Sequence, residues 1–154
     1  MIGIVMGSDS DLPVMQGCVD FLQKMDIPYE ITVASAHRSP ARALEYASSA
    51  KGRGLKIIIA AAGMAAHTTL PVIGVPIDSS SLNGLDALLS TVQMPPGVPV
   101  ATMGIGKAGA KNGAILAAQI LALADDQLAA RLVAFKEEMA REVEEKAQRL
   151  VGSA

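Results

Sequence analysis

Cysteine is nearly absent from this chain. Cys18 is the only one among 154 residues, so no intramolecular disulfide can form, paired-thiolate metal sites drop out, and a reducing compartment is the natural expectation. Aromatic residues are also scarce. With no Trp, two Phe and two Tyr, the core must be built from Ala, Val, Ile, Leu and Met, which favours helices packed closely on a sheet. Charge of one sign is missing: 13 Lys plus Arg stand against 15 Asp plus Glu, a formal net charge of -2. No basic run offers a grip on a nucleic-acid backbone, so no nucleic-acid partner is expected. Long hydrophobic runs are missing too. The longest apolar stretch, Ile57 to Ala66, falls far below the roughly 18 residues of a membrane span. The opening Met-Ile-Gly-Ile-Val-Met lacks the basic flank of a signal peptide. These absences predict a soluble cytoplasmic protein with no membrane partner.

What the chain does have is apolar residues, 51% of the total with a mean hydropathy of +0.37. That composition and length suit one folded domain over 1–154 rather than a disordered segment. Charge is distributed unevenly. Between Ile57 and Gly106 only Asp78 and Asp86 are charged, which marks the middle as core or subunit interface.

Ile2 to Met6 is a short apolar run ending at Gly7, the pattern of a buried parallel strand. Met15, Cys18, Val19, Leu22 and Met25 then recur at helical spacing, and Asp26 and Pro28 mark the exit. The unit repeats. Tyr29 to Ala34 reads as a strand, Ser35 to Pro40 as a loop, and Ala41 to Lys51 as a helix capped by Ser39 with Pro40 in its first turn. Leu55 to Ala60, Val72 to Val75 and Val98 to Thr102 read as further strands, with helices at Leu82 to Val92 and Ala108 to Ala124. The last segment, Asp126 to Val151, places Leu128, Leu132, Phe135, Met139, Val143 and Leu150 on one stripe of a long amphipathic helix. That stripe suits either this chain's own sheet or a neighbouring subunit. Strands alternating with helices predict a three-layer α/β/α sandwich around a parallel sheet.

Ligands of such sheets bind beyond the carboxyl ends of the strands, and two polar clusters fall there. In Gly7-Ser8-Asp9-Ser10-Asp11, Gly7 allows a tight turn, and Ser8 offers N–H and hydroxyl to an anion at a helix start. Asp11 suits sugar hydroxyls. The plainer reading is that Ser8, Ser10 and Asp11 only cap a helix. In Ser35-Ala36-His37-Arg38-Ser39-Pro40, Arg38 suits a bidentate phosphate contact, and His37 is the residue type that titrates nearest neutrality. The plainer reading there is a capping loop with a surface Arg and an incidental His. His67, the only other histidine, lies in an apolar stretch where a buried structural role is the default. Neither the dinucleotide fingerprint nor the P-loop pattern occurs, and no metal-ligand spacing is recognisable.

Several segments together are distinctive: Met6-Gly7-Ser8-Asp9-Ser10-Asp11, Ser35-Ala36-His37-Arg38-Ser39-Pro40, Leu70-Pro71-Val72-Ile73-Gly74-Val75-Pro76, Ser90-Thr91-Val92-Gln93-Met94-Pro95, Gly97-Val98-Pro99-Val100-Ala101-Thr102, and Gly104-Ile105-Gly106-Lys107-Ala108-Gly109-Ala110. In that order they resemble the 5-(carboxyamino)imidazole ribonucleotide mutases of purine (IMP) biosynthesis, the bacterial type of the aminoimidazole ribonucleotide carboxylase family, over nearly the whole chain.

The resemblance implies a flavodoxin-like sheet and an isomerase that uses no cofactor and no metal. Its substrate would be a small ribonucleotide whose carboxylate moves from the exocyclic amine to ring carbon four. It implies His37 as the catalytic acid and base, Ser8, Ser35 and Arg38 on the 5′-phosphate, and Asp11 on the ribose. It also implies a homo-octamer, with an ATP-dependent carboxyaminoimidazole ribonucleotide synthetase as pathway neighbour.

Relative to the family pattern, the stretch around His67 is shortened by roughly eight residues, which fits either a lost flap or a missing piece of sequence. The missing piece is the favoured reading, because Ala65-Ala66-His67 matches either end of the family segment. His67 is expected as a pocket residue on that basis. The rival readings are a direct carboxylase of the same family and a flavodoxin-like or receiver-like binding module in which Asp9 and Asp11 hold a metal or accept phosphate.

Overall fold

Five short apolar runs set the frame. In the computed structural model, which describes residues 1–61, 67–78 and 81–151, β1 (Ile2–Met6) and β3 (Ile57–Ala61) are buried at every position. Such runs are stable only with both faces covered, the situation of central strands in a parallel sheet. β1 pairs with β2 (Tyr29–Val33) on one side and with β3 on the other, all parallel. β3 pairs with β4 (Val72–Val75) and β4 with β5 (Ala101–Thr102), again parallel. The order β2-β1-β3-β4-β5 is the flavodoxin-like doubly wound arrangement, whose chain reverses direction across the sheet between β1 and β3.

Register decides where the loops emerge. Met6 lies level with Val33 and with Ala61, so the chain leaves β1, β2 and β3 at one edge. Both polar clusters start there.

Helices cover both faces. On one, α2 (Pro40–Ser49) buries Ala43 and Ala47 in a cluster with Val5, Leu55, Ile58 and Ala60. Gly3 is needed for this contact, since a Cβ on it would come within 2.5 Å of Tyr46 Oη and 2.9 Å of Leu55 Cδ1. On the same face α3 (Leu85–Val92) crosses β4, where a Cβ on Gly74 would stand 2.4 Å from Thr91 Cγ2. The opposite face carries α1 (Leu12–Lys24), which buries Met15, Cys18, Val19, Phe21 and Leu22, and the first part of α4 (Gly106–Ala122). Gly113 of α4 sits over Ile73 and Val75, and Gly17 of α1 lies against Lys111. Side chains of β4 thus alternate between the two helical layers, as the pleat requires, and the three-layer sandwich is as predicted.

Two elements begin three residues later than their patterns suggested. β5 begins at Ala101 rather than Val98, because Pro99 has no N–H to donate and Val98 N–H is taken by Pro95 O at 3.2 Å in a turn. α3 begins at Leu85 rather than Leu82, because Asn83 and Gly84 have φ of 51° and 83° and cannot continue a right-handed helix.

Backbone contacts divide the chain into two compact units, Met1–Ala117 and Ala118–Ala154. The second holds the end of α4 and α5 (Asp126–Val151), where Leu128 and Phe135 are buried while Met139, Val143 and Leu150 of the same stripe are exposed. No helix among the described residues is long and apolar enough to cross a membrane.

Candidate active site

The loop after β1 is closed by its own side chains. Ser8, in extended conformation, accepts a hydrogen bond from Ser10 N–H at 3.3 Å, and Asp11 Oδ2 accepts one from Ser8 N–H at 3.0 Å. This reciprocal capping box forms a single 3-10 turn, Asp9–Asp11, that leads into α1. Asp11 is consequently buried, at 7% exposure. The capping reading is therefore correct for Ser8 and Asp11 at the 3-10 turn, whereas the Ser10 hydroxyl bonds Ser8 Oγ and Asp11 makes no side-chain cap bond to α1 itself. The capping box also alters one expectation: the Ser8 N–H is already committed to Asp11, which leaves the Ser8 hydroxyl as that residue's contribution to an anion.

The loop after β2 folds back on Ser35. Its carbonyl accepts from Ser39 N–H at 2.8 Å and from Ser39 Oγ at 3.0 Å, and its hydroxyl accepts from Arg38 N–H at 3.2 Å. Ser39 precedes α2 in sequence, but its side chain makes no cap hydrogen bond. Its hydroxyl reaches back to Ser35, one of the local bonds through which Ser competes with a cap.

The two loops meet through Arg38, whose Nη2 donates to Gly7 O at 2.8 Å. Around this joint lies a cavity of about 410 Å³. Ser8, Ser35, Arg38 and Ser39 supply its donors, Asp9 a carboxylate, and Gly7 with Val33 the remaining wall. A fixed guanidinium among hydroxyls is suited to a phosphate monoester. Three of the predicted residues, Ser8, Ser35 and Arg38, are thus brought together. Asp11 lies behind the turn, with Oδ2 3.8 Å from where a Cβ on Gly7 would be. His37 is exposed at the tip of the same loop as Arg38, outside the cavity lining. His67 is also exposed. Residues 62–66 of the shortened stretch lie outside the described residues.

Sequence reasoning had assigned Ser39 to a helix cap and considered Asp9 only in the receiver-like reading. Their common signal is position: both lie on a loop that runs from a strand-end serine to a helix. Elsewhere the ionisable groups argue against competing chemistry. Cys18 is fully buried and its thiol is pushed up to about 12 by that burial, so it is not a nucleophile. At the other end of the strands, burial pushes the Glu30 carboxyl up, but hydrogen bonding to and the charge of Arg53, at 2.9 Å, outweigh it and hold the carboxyl below its ordinary value. Among the described residues no cluster of three or more His, Cys, Asp or Glu could hold a metal ion.

A doubly wound parallel sheet with a polar cavity at its strand ends defines an α/β protein of flavodoxin-like architecture. The particular family follows from comparison. The family model described as AIR carboxylase matches residues 1–142, and the chain belongs to that family. It is 55% identical to the N5-carboxyaminoimidazole ribonucleotide mutase of Thermotoga maritima, covering 97% of this chain and 91% of that one. It is 52% identical to the protein of the same name from Bacillus subtilis, covering 98% of each. The crystal structure of Treponema denticola PurE superposes with a TM-score of 0.82 at 27% identity, covering 97% of both chains. The Thermotoga alignment runs over 157 positions but takes in 97% of 154 residues, about 149, so about eight positions lack a counterpart here.

Proposed function

We propose that this enzyme converts 5-(carboxyamino)imidazole ribonucleotide to 4-carboxy-5-aminoimidazole ribonucleotide in purine biosynthesis, as an isomerase of one functional domain over 1–154. The observation that carries this reading is the Arg38–Gly7 joint, which puts the donors of two strand-end loops around one cavity. In the proposed complex Ser8, Ser35 and Arg38 hold the 5′-phosphate, and Asp11 reaches the ribose by giving up its bond to the Ser8 N–H. The base then projects toward His37, with His67 as a further pocket residue.

The chemistry is a balanced proton cycle. The bond between the exocyclic nitrogen and the carboxylate carbon breaks, carbon dioxide leaves, and His37 gives its proton to that nitrogen. Ring carbon four then attacks the retained carbon dioxide, and His37 takes back the proton that carbon four releases. One group serves both steps because the proton it gives is returned. Carbon dioxide must not escape between them, so the pocket has to be closed and dry. His37 is exposed in the single chain, which fits a site completed by neighbouring chains. The proposed assembly is a homo-octamer. Leu82, Leu85, Leu89 and Val92 form an exposed apolar stripe along and just before α3, in the charge-poor middle of the sequence, as a subunit interface requires.

The substrate must arrive from an ATP-dependent synthetase that carboxylates the amine. The test is an ultraviolet assay with fresh 5-(carboxyamino)imidazole ribonucleotide against aminoimidazole ribonucleotide plus bicarbonate. Rapid conversion of the first, with the second proceeding only at high bicarbonate, is expected. Preference for the second would establish a direct carboxylase instead.

A further inference from the structure

A carboxylate lines the cavity just described, which is unexpected in a pocket for a phosphate dianion. Asp9 Oδ1 accepts a hydrogen bond from the Ser8 hydroxyl at 3.2 Å and another from Ser10 N–H at 3.1 Å. Ser10 Oγ in turn donates to Ser8 Oγ at 2.8 Å. The donors that the first loop could offer a phosphate are thus already turned toward a negative oxygen of the protein itself. Arg38, the cationic side chain of the lining, stands on the other loop.

We propose that Asp9 is an internal competitor for the phosphate subsite, a residue that weakens binding of the phosphorylated end by holding its donors and by like-charge repulsion. This inference rests on the phosphate reading of the cavity. A phosphate must take the Ser8 hydroxyl away from Asp9, whose side chain is exposed.

The arrangement makes chemical sense for an isomerisation in which substrate and product carry the same 5′-phosphate. Tighter phosphate binding would stabilise substrate, transition state and product alike and would not raise kcat. It would, however, slow departure of the product. A carboxylate in the subsite lowers that uniform grip while Arg38 and the serine hydroxyls keep the geometry.

The experiment is titration calorimetry of inorganic phosphate at fixed low salt with the full-length wild type, D9N, D9A and R38A, together with KM for the ribonucleotide. Asp9 is exposed and outside the core, and circular dichroism of each variant checks its fold. D9N and D9A are expected to bind phosphate about two- to fivefold more tightly, the range of one exposed charge interaction, with KM falling in the same sense. R38A is expected to lose phosphate binding. If wild type binds phosphate through Arg38 but either Asp9 variant binds it no more tightly than wild type, the competitor role is overturned and the phosphate subsite stands. If wild type does not bind phosphate, or R38A binds it equally well, the phosphate reading fails and the proposal with it.

Discussion

Arg38 and Gly7 are 31 residues apart in sequence, yet the Arg38 guanidinium donates to the Gly7 carbonyl at 2.8 Å. One hydrogen bond therefore ties the loop after β1 to the loop after β2. The parallel register that sets Met6 level with Val33 makes it possible. A guanidinium has five donors in a fixed fork, so a phosphate can be engaged while the bond to Gly7 is kept.

Replacing Arg38 tests both functions. Arg38→Ala removes the phosphate donor and the tie between loops, and KM should rise at least tenfold, as expected for a lost charge-assisted hydrogen bond of about 1.5–3 kcal/mol. Arg38→Lys should recover only part of that loss, because an ammonium lacks the planar fork. Steady-state kinetics on both variants decide it; an unchanged KM in Arg38→Ala would remove Arg38 from the site.

His37→Asn should abolish turnover and leave ribonucleotide binding within about threefold of wild type, since proton transfer is lost while an exposed surface changes little. Turnover and calorimetric binding measured on one preparation separate the two effects. Turnover like that of wild type would refute the acid–base role.

Gly74→Ala probes the packing of α3 on the sheet. The added Cβ would stand 2.4 Å from Thr91 Cγ2 and 2.8 Å from Val100 Cγ1, so the helix or strand must shift. Overpacking of this kind costs about 1–3 kcal/mol. A urea denaturation midpoint equal to that of wild type would show that Thr91 yields freely.

The Glu30–Arg53 pair, at 2.9 Å, predicts an acid-sensitive term in stability. The folded carboxyl lies below its ordinary value of 4.5, so its contribution is present above that pH and is lost as pH falls through the lower folded value. Both side chains are partly exposed, at 30% and 33%, so the term is no more than about 1 kcal/mol. Glu30→Gln should lower the thermal midpoint at pH 7, with the difference from wild type shrinking as pH falls below 4.5. Parallel curves across that range would contradict the pairing.

Much of the frame was legible locally. Ile2 to Met6 and Val72 to Val75 are runs whose burial follows from composition alone, and both strands have those bounds. The apolar spacing of Met15, Cys18 and Leu22 predicted a helix face, and all three are fully buried. The two polar loops were legible as well, because a parallel strand must end in a loop at the ligand edge.

Partner choice within those loops was not legible. Ser39 looks like a cap, but its hydroxyl donates to Ser35 O. Ser8 reads as offering its N–H to a ligand, but Asp11 takes it, and Asp9 turns from a surface acid into a wall of the cavity. The shape of the terminal helix was likewise written in its stripe, whereas the burial of Leu128 and the exposure of Val143 were not. The reason is physical. Strand and helix formation follow from apolar periodicity over a few residues, which the sequence carries by itself. Which acceptor a given donor finds depends on groups brought together by register and crossover, and only the tertiary structure decides that.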